Sequence, residues 1–150
     1  MGASETPSIP ARNSTMSPDL QELLAAARKV QREFPLDNGS SAGAVGAALR
    51  SRGGKIYTGI CIDVACGIGF CAEHSAVAEM LKAHETEITA VVAVNHRAIL
   101  PPCGRCRELM YQINRKNAAA RVLLSDDRVV TLRELLPEHW IESKEQSSGK

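Results

Sequence analysis

Two short stretches constrain this chain more than anything else in it. They are Cys71-Ala72-Glu73 and, some thirty residues later, Pro102-Cys103-Gly104-Arg105-Cys106. A fold that uses both must bring three thiols and one carboxylate together. Thiolates hold Zn2+ well, and three protein ligands leave a fourth position for water. The ion lowers the pKa of that water, so hydroxide becomes available near neutral pH. Glu73 stands two residues from a ligand, near enough to reach the water without ligating the metal. Cys71, Cys103 and Cys106 are therefore the candidate ligands of one Zn2+ per chain, and Glu73 is the candidate catalytic proton carrier.

A closed structural site is the competing arrangement. It needs a fourth ligand, and Cys61, Cys66 and His74 are close in sequence. It has no use for a glutamate at Glu73 or a proline directly before Cys103, so the open, catalytic arrangement fits the spacing better. A Cys-x-x-Cys pair alone also suits a redox couple. The separate Cys-Ala-Glu stretch argues against that. His84 and His96 have no partner spacing and read as surface or helix-end residues.

At 150 residues the chain is expected to be one domain with a sizeable core. Aromatic residues make up 3% of it, so that core is built from alanine, valine, leucine and isoleucine. A net charge of +1 supplies no field for gripping a polynucleotide backbone. Five cysteines, three of them in a metal pattern, fit a reducing compartment. No apolar run is long enough to span a membrane. The start of the chain lacks the charged and apolar regions of a signal peptide, so the expected location is cytoplasmic.

Residues 1–17, rich in Ser, Pro, Thr and Ala, read as a disordered leader, and residues 142–150 as a frayed polar tail. Residues 18–141 are the expected domain. Pro18 opens a helix capped by Ser17, with Leu20, Leu23, Leu24, Ala27 and Val30 as its apolar stripe and Pro35 as its end. Residues 44–50 and 55–62 read as two strands joined by a hairpin turn at Ser51-Arg52-Gly53-Gly54. Gly46 marks a close approach to the first of them. A helix follows from Cys71 to about His84, then the β-branched run Ile88 to Val94, whose two covered faces suit a central strand. A loop leads from Asn95 to Pro102, and a further helix starts near Cys103. Short strands at 121–124 and 129–131 and a helical turn at 132–136 complete the series. This alternation predicts an α/β layered fold around a mixed sheet. Both metal-bearing segments then fall at helix N-termini, whose N–H groups offset part of the excess charge of three thiolates on one dication.

At Val45-Gly46-Ala47-Ala48-Leu49, Cys71-Ala72-Glu73, Pro102-Cys103-Gly104-Arg105-Cys106-Arg107 and Arg133-Glu134-Leu135-Leu136-Pro137 the chain resembles the small zinc-dependent cytidine deaminases, blasticidin S deaminase among them. The likeness runs from about residue 20 to 140 and keeps the family's motif order. It implies a three-layer α/β/α sandwich around a mixed five-stranded sheet. It also implies hydrolytic replacement of the 4-amino group of a cytosine nucleoside or analogue by an oxo group, with release of ammonia. A homotetramer with shared active sites, a nucleoside-like small-molecule substrate and no membrane or polynucleotide partner complete the expectation. Other aminated heterocycles, and a zinc-stabilised nucleoside-binding module without turnover, are the alternatives.

The departures from that family bear on the substrate. Gly43 and Ala44 stand where cytidine deaminases carry an aromatic residue against the pyrimidine. Cys61-Ile62-Asp63 replaces the Asn-x-Glu that binds ribose hydroxyls. A thiol cannot reproduce the two-sided hydrogen bonding of an amide. His74 replaces an arginine that pairs with the ligand thiolates, which leaves Arg105 or Arg107 for that role. Arg105 within the Cys-x-x-Cys is shared with blasticidin S deaminase. The candidate substrate contacts are thus Cys61, Asp63, Ala72, Pro102, Arg105 and Trp140, the last over a neighbour's active site.

Overall fold

The structure, a computed structural model, describes residues 16–142. Most of the expected leader and tail lies outside these residues. Helix α1 (Pro18–Val30) begins after Ser17, but the Ser17 hydroxyl donates to Asp19 and caps no backbone N–H. The helix ends at Val30, with Gln31 already extended, well before Pro35. Pro35 instead belongs to a two-residue strand, β1 (Phe34–Pro35). At the other end Glu142, assigned from sequence to the tail, accepts hydrogen bonds from the Tyr111 hydroxyl and from Arg133.

Strand β2 (Ser41–Ser51) turns at Gly53-Gly54 into antiparallel β3 (Ile56–Asp63). Helix α2 (Ala72–Lys82) leads to β4 (Ile88–Val94), which lies antiparallel to β2 on its other side. Then come β5 (Ile99–Leu100), α3 (Gly104–Ile113), β6 (Arg121–Ser125) and β7 (Arg128–Thr131). β6 pairs parallel to β4 and antiparallel to β7, so the sheet is mixed. The five longer strands run β3-β2-β4-β6-β7. The two-residue strands β1 and β5, on β2 and β4, bring the sheet to seven where five are expected.

Alternation along the central strands sorts their side chains into two cores. Ala47 and Leu49 of β2 and Val91 and Ala93 of β4 face α2 and α3, against Ala76, Val77, Met80 and Met110. Ala48, Ala90, Val92 and Val94 face the other way, onto Leu20, Leu23, Leu24 and Ala27 of α1. The three-layer α/β/α sandwich follows from this pattern. Small residues let the layers approach. A Cβ on Gly46 would lie 2.6 Å from the Ala27 carbonyl oxygen of α1, and one on Gly59 would lie 2.3 Å from the Ala76 nitrogen of α2. Among the described residues no helix is long and apolar enough to cross a membrane.

Candidate active site

Gly59 decides where the site forms, because it lets the start of α2 lie directly on β3. Cys71 is the residue just before α2, and Cys103 the residue just before α3. Both have extended backbone conformations that turn the chain into its helix. Glu73 and Cys106 follow within the first turns. The two helix starts meet so that the Sγ atoms of Cys71, Cys103 and Cys106 all lie within 4.8 Å of one another. Cys71 Sγ is 3.7 Å from Cys103 Sγ, which is 3.5 Å from Cys106 Sγ.

These separations fit the metal. Tetrahedral zinc with Zn–S bonds of about 2.3 Å requires sulfurs roughly 3.8 Å apart. Three soft donors at this spacing fit one zinc ion. The fourth ligands of a closed site are engaged elsewhere or lie outside the cluster. Cys61 Sγ accepts from the Val45 N–H at 3.2 Å and lies 3.6 Å from Asp63 Oδ2. Cys66 is exposed on its loop. His74 approaches Cys106 alone, with Nδ1 3.5 Å from its Sγ.

Electrostatics separate the three thiols. Burial pushes Cys106 well above its ordinary value, and the nearby Glu73 charge adds to the effect. Cys71 is raised by burial and by its contact with Cys103. Burial acts on Cys103 in the same sense, but the backbone N–H groups of Cys106 and Arg105, with the neighbouring sulfurs, bring it below its ordinary value. This is a helix N-terminus acting on a thiolate. Glu73 is 5% exposed, and burial raises its affinity for a proton, against smaller opposing contacts from its own backbone N–H and Cys106. His74 is lowered, first by burial and then by the Arg105 charge, which favours a neutral imidazole.

Beside the sulfurs opens a cavity of about 470 Å3, within the range of small-molecule sites. Cys61, Asp63, Cys71, Ala72, Glu73, Cys103 and Arg105 all line it, while Cys106 sits fully buried behind. Pro102 is the expected contact that does not line it, and Trp140, expected over a neighbour's active site, does not line it either. Pro102 is buried and absent from the wall, which Pro101 forms in its stead; the Pro102 carbonyl accepts from Arg107 Nε at 2.7 Å. Trp140 is also away from its own chain's cavity. It is 48% exposed, and its indole N–H donates to Glu108 Oε1 at 2.8 Å.

Three features of the neighbourhood were not read from sequence. Phe70 joins the wall through an antiparallel bridge to Ile62, a pairing too short to leave a pattern. His139 is buried, packs tilted against Tyr111 at 4.3 Å between centroids, and bonds Glu108 Oε2 through Nε2 at 2.7 Å. The contact of His74 with Cys106 spans 32 residues. A Cys-x-Glu and a Cys-x-x-Cys at two helix starts converge on one cavity, with three thiols placed as zinc donors and a buried carboxyl beside them.

Known proteins place the chain within one family. Residues 17–121 match the model of the cytidine and deoxycytidylate deaminase zinc-binding region. The chain belongs to that family. Cytidine deaminase from Mycobacterium tuberculosis (strain ATCC 25618 / H37Rv) is 34% identical over 71 residues, 46% of this chain and 53% of that protein. The match thus spans about half the length of that curated relative. The crystal structure of cytidine deaminase from Mycobacterium tuberculosis superposes with a TM-score of 0.69 at 25% identity, covering 83% of this chain and 98% of that one. The 1.6 Å crystal structure of cytidine deaminase from Burkholderia pseudomallei gives 0.65 at 29% identity, covering 82% and 98%.

Proposed function

We propose that the chain is a zinc-dependent hydrolase that replaces the 4-amino group of a cytosine nucleoside, or of an analogue, by an oxo group and releases ammonia. The observation that carries this reading is the place of Glu73. It is a buried carboxyl with raised proton affinity, on the cavity wall beside the three clustered thiols. Cys71, Cys103 and Cys106 would hold the zinc, which would supply an acidified water when bound. The Glu73 carboxylate accepts a proton from the attacking water. The protonated carboxyl passes that proton to the ring nitrogen beside the reacting carbon, then takes the second proton from the added hydroxyl and delivers it to the leaving amine, which departs as ammonia. A carboxyl in a water-poor site suits a group that must both take and give a proton.

The cavity favours an analogue of the blasticidin S type over ordinary cytidine. Gly43, at φ +81°, leaves a Cβ only 2.1 Å from the Arg32 carbonyl oxygen, so no aromatic platform fits there. The Cys61 thiol is committed to Val45 and Asp63 and offers a ribose no amide pair. Arg105, exposed on the wall, suits a substrate bearing a carboxylate. A cytoplasmic homotetramer with shared active sites completes the proposal. The five free cysteines support a reducing compartment, and the half-exposed Trp140 is the group a neighbour would receive.

Ammonia release from the zinc-loaded protein, measured across cytosine, adenine and guanine nucleosides and blasticidin S, tests the reading. Product from at least one cytosine compound is expected. Retained zinc with no product from any of them would instead mark a nucleoside-binding module.

A further inference from the structure

His74 is a half-buried polar group at the site to which the proposed reaction gives no part. It lies in the first turn of α2, while Cys106 lies in the first turn of α3. The 3.5 Å contact of its Nδ1 with Cys106 Sγ therefore crosses from the helix of one ligand to the helix of the other two. Cys106 is the fully buried sulfur of the set, with the Glu73 carboxyl beside it, so water does least to solvate its charge. Three thiolates on one dication leave the site negative, and of the two arginines expected to balance it, Arg107 is turned to backbone carbonyls while Arg105 lines the cavity, near enough for its charge to act on His74. Arg107 donates to two backbone carbonyls, Pro102 at 2.7 Å and Leu135 at 3.4 Å. Arg105 is exposed at the cavity wall.

We propose that His74 is a positioning residue of the zinc site, its Nδ1–H donating to the Cys106 thiolate and fixing that sulfur's orientation and charge. A thiolate has no proton to give, so with zinc bound the hydrogen between the two atoms belongs to the nitrogen. The donated bond draws electron density from the sulfur and ties the two helix starts together at the one buried ligand. Partners of this kind set how firmly a metal is held. The inference rests on the cysteines as zinc ligands and not on the reaction, and its test needs no substrate.

The test reads zinc release from the loaded protein to a chromogenic chelator, and the absorption spectrum of the protein loaded with Co2+. The variants are His74→Ala, His74→Leu and His74→Asn. The alanine and leucine variants should bind one metal but release zinc about 10- to 100-fold faster than the parent. Their sulfur-to-cobalt charge-transfer bands should shift to lower energy, because a sulfur without the hydrogen bond is the richer electron donor. Asparagine keeps an N–H donor and should restore both retention and band position. Leucine fills the imidazole's space without a donor, and decides the matter if the alanine variant does not fold. Parental release and unshifted bands in the leucine variant would overturn the proposal. Asparagine and leucine variants that behave alike would overturn it too, since packing alone would then account for any loss.

Discussion

Cys71 Sγ and Cys103 Sγ stand 3.7 Å apart although 32 residues separate them in the chain. No strand pairing joins the two positions. Each sulfur is fixed as the residue that turns its chain into a helix, and the helices are fixed by packing on one face of the sheet. A zinc held by both would therefore tie together two elements that otherwise meet through the core and the His74–Cys106 contact.

Removing a ligand should show this directly. The purified protein should carry about one zinc per chain, since a single set of three ligands is present among the described residues. Cys103→Ala and Cys106→Ala should each lose both zinc and solubility, as measured by elemental analysis and by soluble yield. Full zinc occupancy in both variants would put the metal elsewhere.

The seat of α2 on β3 gives a second expectation. A methyl group at Gly59 would sit 2.3 Å from the Ala76 nitrogen, 2.5 Å from Ser75 Cβ and 2.6 Å from the Ala72 carbonyl oxygen. Backbone on this side cannot yield as a flexible side chain would. Gly59→Ala should cost about 2–3 kcal/mol in urea unfolding, and should weaken zinc retention because the start of α2 must lift. An unchanged unfolding midpoint would mean the helix is not seated there.

Much of the candidate site is legible in the sequence because its chemistry is local. Cys71 to Glu73 and Cys103 to Cys106 each fall within one helical turn, so residue type and spacing mark the candidate ligands and proton carrier. The layers are legible too, since the β-branched run from Ile88 to Val94 marks a strand covered on both faces, as the two cores show. What escapes is set by partners far away in the chain. Strands β1 and β5 are two residues long and exist only because β2 and β4 lie beside them. Pro35 is no helix stop, because Gln31 has already left the helical region. His74 is marked in sequence by its place after Glu73, but which sulfur it meets is fixed only when Cys106 is brought to it, and His139 carries no signal until Glu108 is.

Specificity should turn on Cys61. Cytidine should be a poor substrate beside at least one modified cytosine nucleoside. Cys61→Asn should raise kcat/KM for cytidine, because an amide restores donor and acceptor at a position on the cavity wall. Efficient cytidine turnover by the parent protein would remove the basis for this expectation.

Trp140 should matter to binding and not to metal. Its indole is held by Glu108, which lies on the same helix as Cys106, yet the ring stays away from its own chain's cavity. Stacked on a substrate in a neighbouring subunit, it would exclude water from the reacting ring. Trp140→Ala should raise KM while zinc content stays at the parental level. Mixed oligomers with Glu73→Gln chains should recover activity, since the intact tryptophan of one chain completes the site of the other. Parental kinetics from Trp140→Ala, or a fully active monomer, would rule this out.

The most direct measurement is turnover by Glu73→Gln with zinc content determined on the same sample. The amide keeps the size of the side chain and removes its capacity to carry a proton. The variant should fold, hold its zinc and lose turnover of the parent's best substrate by several orders of magnitude. A zinc-loaded Glu73→Gln protein that still releases ammonia at the parental rate would contradict the assignment of proton transfer to Glu73.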